Sequence, residues 1–63
     1  MTREKALEKI EIMYITKNGD YDGAVRYITN IYGLTPEFWR INFAYINDAM
    51  LAKYPALYYG NII

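Results

Sequence analysis

Sixty-three residues, seven basic and seven acidic, with neither cysteine nor histidine, bound the chemistry of this chain. Disulfides, thiolate chemistry and the commonest zinc sites are excluded, and zero net charge lacks the basic footprint of a nucleic-acid binder. A single domain this small hides only about 60% of its unfolded surface, so dense packing or a second copy of the chain must stabilise it.

The first helix is expected from Arg3 to Lys17, with Thr2 as N-cap and Gly19 just past its end. Ala6, Leu7, Ile10, Met13 and Tyr14 fall on one face. Glu4, Lys5, Glu8, Lys9 and Glu11 cover the other, where the i,i+4 pairs are of like charge and add little. Ile12 and Ile15 lie on that charged side, either as scattered exposed residues or as a contact face toward a partner.

Lys17-Asn18-Gly19-Asp20 makes a corner. Asp20 then caps a second helix from Tyr21 to Tyr32, whose apolar face reads Tyr21, Ala24, Val25, Ile28, Ile31 and Tyr32. Gly33 ends it, Leu34 packs into the corner, and Thr35-Pro36-Glu37 opens a third helix with a cap, a first-turn proline and an acid at the positive end of the dipole. Along that helix Trp39, Phe43, Ile46, Met50 and Tyr54 make one apolar row; Phe38, Ile41, Tyr45, Ala49 and Ala52 make a second. A helix apolar over most of its girth expects neighbours on several sides, which predicts that the third helix is central. Pro55 ends or kinks it at Tyr54, and residues 55–59 can form one more turn before Gly60. The fold expected is all-α: a compact bundle of three helices with a short C-terminal helical turn, in one domain spanning 1–63.

Three segments resemble known motifs. Asn18-Gly19-Asp20-Tyr21-Asp22-Gly23 resembles the first half of an EF-hand calcium loop, with oxygen ligands at positions one, three and five and glycine at six. Thr29 at the twelfth position cannot supply the bidentate carboxylate, and helix-stop and helix-start chemistry explains the same letters, so no metal is expected. Residues 18–28 also look like the loop and last helix of ubiquitin-associated domains, without the earlier helix such domains need. Residues 28–41, Ile-Thr-Asn-Ile-Tyr-Gly-Leu-Thr-Pro-Glu-Phe-Trp-Arg-Ile, are similar to the helix-turn-helix of bacterial transcription regulators. That resemblance implies DNA reading by Thr35, Glu37 and Arg40 in the major groove. Against it stand Thr29 where a small apolar residue packs, large aromatics on the recognition helix and no basic cluster for phosphates.

Without histidine, cysteine or serine there is no ordinary nucleophile–base pair, and no enzyme is expected. No cofactor is expected either. No apolar run approaches the length of a membrane span and no basic-then-apolar leader is present, so the expectation is a cytoplasmic protein.

Eight tyrosines are the remaining anomaly. Rings that carry a hydroxyl suit half-buried positions and interfaces. Phe43, Tyr54, Leu57, Tyr58, Tyr59, Ile62 and Ile63, with Ile12 and Ile15, are more apolar surface than one small fold can cover. They are the expected oligomer or partner interface. Low net charge eases self-association as well. The leading functional expectation is a small regulator or inhibitor, of a kind bacteria and their phages encode. It would act by stoichiometric protein–protein binding as a homo-oligomer, most simply a dimer. Two alternatives stand beside it: the helix-turn-helix DNA binder, and a small-molecule or nucleotide binder with pockets between subunits.

Overall fold

The computed structural model describes residues 1–57 and contains three helices: α1 (Arg3–Thr16), α2 (Tyr21–Tyr32) and α3 (Pro36–Lys53). Each begins where a short polar side chain closes on the backbone. The Thr2 hydroxyl accepts from the Lys5 N–H at 3.2 Å, the Asp20 carboxylate from Gly23 at 2.9 Å, and the Thr35 hydroxyl from Phe38 at 3.1 Å. All three satisfy an amide that the helix itself leaves unpaired. The two turns are made by left-handed residues. Asn18 (φ 56°) and Gly19 (φ 88°) reverse the chain after α1, and Gly33 (φ 62°) does so after α2. The Gly19 N–H donates to the Tyr14 carbonyl and the Leu34 N–H to that of Thr29, so each turn closes on a carbonyl in the last turn of its helix.

Helix direction follows from the side-chain contacts. Tyr14 meets Tyr21 edge-on across the first corner, and α2 packs back against α1. Arg3 lies over the Tyr45 ring and Glu11 reaches Lys53 and Tyr54, so α3 runs parallel to α1. The core is formed by Ala6 and Ile10 of α1, Ala24 and Ile28 of α2, Ile46 and Met50 of α3, and Leu57 beyond it. Leu7, Met13, Tyr14, Tyr21, Val25, Leu34, Phe38, Trp39, Leu51 and Tyr54 pack round it, half-buried.

The hub is α1, not α3. α1 packs along both other helices, whereas α2 and α3 approach each other far less. The expected central position of α3 is therefore corrected. Its first row is used in part: Ile46 and Met50 are buried, Trp39 and Tyr54 half-buried, and Phe43 exposed. Its second row turns outward at Ile41, 62% exposed, Tyr45 and Ala52, while Phe38 and Ala49 are half-buried. The short Gly-Leu-Thr-Pro connection brings α2 and α3 together chiefly through one long side chain: Trp39 Nε1–H donates to the Thr29 hydroxyl at 2.9 Å.

The expected face of α2 also needs correction at its C-terminal end. Ile31 and Tyr32 are exposed, the former at 58%. They lie beyond the part of α2 that packs on the core, which uses Tyr21, Ala24, Val25 and Ile28. Of the expected C-terminal turn only the opening is described, where the Leu57 N–H donates to the Tyr54 carbonyl at 3.0 Å. The rest of it, and Tyr58, Tyr59, Ile62 and Ile63 of the expected interface, lie outside the described residues.

Among the described residues one buried side-chain polar atom has no partner. The Tyr21 hydroxyl is buried without a hydrogen bond, and burial raises its pKa. A stranded hydroxyl costs about 1–3 kcal/mol of desolvation, while the ring's edge contact with Tyr14 survives its removal. Tyr21→Phe is expected to stabilise the fold by about 0.5–1 kcal/mol, raising Tm by several degrees. A fall in the thermal midpoint on scanning calorimetry would show that the hydroxyl has a partner in solution.

Candidate binding surface

Three groups of side chains outside the core are available for function. The first is the outer side of α3. At 100° per residue, Ile41, Ala44, Tyr45, Asp48 and Ala52 share the side opposite Ile46 and Met50, and all five are exposed. Arg3 holds the Tyr45 ring from the flank, its guanidinium carbon 4.3 Å from the ring centroid. Arg40 forks onto Glu37 through Nε and Nη2, one turn earlier. Asp48 has no ion pair among the described residues.

The second group lies on α1. Ile12 and Ile15 are 52% and 60% exposed, on the side turned away from both other helices. The third is the pair Tyr27 and Ile31, one turn apart on the side of α2 away from Thr29, with the Lys17 ammonium over the Tyr27 ring at 5.4 Å. Phe43 stands apart from all three, exposed at the edge of the Trp39 ring.

The other residues expected at a surface are placed differently. Leu57 is 5% exposed and belongs to the core, so it is not open to a partner. Tyr54 is half-buried, its ring 4.9 Å from that of Tyr14 and its hydroxyl donating to Glu11 Oε2 at 2.6 Å. The DNA-contact set is occupied within the chain. Thr35 caps α3, and Glu37 and Arg40 hold each other. The calcium-like loop is occupied too: Asp20 caps α2 and Asp22 holds Arg26. Among the described residues no group of three carboxylates, histidines or cysteines gathers. No described helix is long and apolar enough to cross a membrane.

The Glu11 cluster went unread in the sequence, where Glu11 looked like one more charge on a solvated face. It lies at the edge of that face, and Lys53 Nζ and the Tyr54 hydroxyl both reach its Oε2 at 2.6 Å. These two hydrogen bonds, the Lys53 one foremost, hold its carboxyl below the ordinary glutamate value. The same contacts with Glu11 hold Lys53 and Tyr54 protonated to higher pH than usual. A lowered folded pKa stabilises fully above the unfolded glutamate value and is lost as pH falls through the folded one. Thermal melts should therefore show a drop in Tm between about pH 5 and pH 3, and Glu11→Gln should flatten that part of the profile. A variant profile parallel to the parent's would show that this carboxylate is not linked to folding.

No protein-family model matches the chain, and no curated protein or solved structure is similar to it.

Proposed function

We propose that this chain acts by stoichiometric, non-enzymatic binding to another protein, as a small regulator or inhibitor that associates with copies of itself. One observation carries the reading. Among the described residues the core takes seven, while Ile12, Ile15, Ile31, Ile41, Phe43, Tyr45 and other large apolar side chains stay exposed. Single exposed apolar residues are ordinary, but a whole helix side bearing Ile41 and Tyr45 is a recognition feature. Isoleucine and tyrosine projecting from a rigid helix bind with little loss of side-chain entropy. The exposed chemistry suits contact better than turnover, since the acids on view, Asp48 apart, are caps or ion-pair partners of neighbouring basic residues.

The DNA reading has thinner support, because Glu37 pairs with Arg40 and offsets the charge it would bring to DNA. Co-purification of the full chain from its native host tests the proposal. Double substitution Ile12→Glu/Ile15→Glu is expected to remove one dominant co-purifying protein while leaving the helical signal and self-association unchanged. Co-purification of nucleic acid instead, released steeply by salt, would overturn it.

A further inference from the structure

We propose that Asn18–Gly19 is a spontaneous modification site gated by the fold, closing to a succinimide only in chains whose first corner has opened. Asparagine followed by glycine is the pairing that leaves room for this ring. The Gly19 amide nitrogen attacks the Asn18 side-chain carbonyl carbon, a new N–C bond forms, and the C–Nδ2 bond breaks. Ammonia leaves with the proton of the Gly19 amide. Water then opens the ring at one carbonyl to give aspartate, or at the other to give isoaspartate. The remaining asparagines, Asn30, Asn42, Asn47 and Asn61, precede Ile, Phe, Asp and Ile, whose side chains crowd the ring closure.

Three observations place the gate at the corner. Among the described residues Asn18 is the one non-glycine residue at positive φ, 56°, and Gly19 follows it at 88°. The Gly19 N–H donates to the Tyr14 carbonyl at 2.8 Å, while the N–H groups of Asn18 and Asp20 donate to the Ile15 and Lys17 carbonyls at 3.1 and 3.3 Å. Tyr14 also lies against the corner, since a Cβ at Gly19 would stand 3.8 Å from its hydroxyl oxygen.

Ring closure needs a different arrangement. Rotation about the Asn18 Cα–C bond must carry the Gly19 nitrogen round to the side chain, which takes it off the Tyr14 carbonyl and ends the left-handed turn. That nitrogen must also give up its proton, and the hydrogen bond to Tyr14 favours the protonated form. Solvent is not the gate, because Asn18 and Gly19 are both exposed. The rate therefore follows the population of the open corner, as other attacks on transiently opened states do. The modified fraction then records how long the corner has spent open.

Trypsin cuts after Lys17 and Arg26, so the peptide 18–26 holds Asn18 as its single side-chain amide and shows the exchange of amide for acid by mass. The full chain is incubated at neutral pH in buffer and in unfolding guanidinium chloride, with a synthetic peptide of residues 16–21 in both solvents as reference. In buffer the full chain is expected to react about tenfold more slowly than the peptide, or slower still. In guanidinium it should react at the peptide's rate. A folded chain that reacts as fast as the peptide overturns the gate. An unfolded chain that keeps Asn18 intact while the peptide is converted overturns the site.

Discussion

Ile10→Ala is expected to unfold most of the population at room temperature. Ile10 is fully buried on α1, the helix that packs along both others. Removing a buried isoleucine down to alanine costs about 2–5 kcal/mol. A core in a chain this short supplies only about 3–5 kcal/mol in total. The two quantities are of equal size, so the substitution removes nearly the whole margin. Far-UV circular dichroism should show loss of most helical signal. Ile12→Ala, two residues away on the exposed side, should stay within about 0.5 kcal/mol of the parent. Equal behaviour of the two variants would contradict the placement of the core.

Ile41→Lys should do the reverse, sparing the fold and removing the proposed self-association. Ile41 is the most exposed of the large apolar side chains described, so its loss costs the monomer little. At an interface of two copies it occurs twice, and a truncated central contact costs about 2 kcal/mol or more, roughly 30-fold in the dissociation constant. Tm measured well below that constant should match the parent. Tm measured above it should fall behind, because association stabilises the folded state by mass action. A variant that unfolds in dilute solution would mean that Ile41 belongs to the core.

Helix boundaries were readable because the signals are local. Thr2, Asp20 and Thr35 each meet the amide three residues on, and Gly33 is in the left-handed conformation that ends a helix. What the chain order does not contain is how the helices lean on one another. α3 has the widest apolar girth, and amphipathic reading alone makes it central. The structure gives that role to α1, whose narrower stripe, Ala6 and Ile10 flanked by Leu7 and Tyr14, lies between the other two. Ala6 is small and fully buried, which suits a helix with neighbours on two sides, while α3 meets α2 chiefly through the long Trp39 side chain.

Two long-range hydrogen bonds were also hidden. Thr29 looks like a misplaced polar residue in a helix-turn-helix, yet its hydroxyl takes the Trp39 indole N–H. A tryptophan expected in the core needs an acceptor, and that need was the available signal. Glu11 and Tyr54 are far apart in sequence, and only the parallel run of α1 and α3 brings them together.

Sedimentation equilibrium across a concentration series, from below about one micromolar to above about one hundred, tests most directly whether the uncovered rings and isoleucines serve a contact. The account predicts a mass that rises from 7.4 kDa toward twice that value as concentration increases. A mass fixed at 7.4 kDa over the whole series would contradict it.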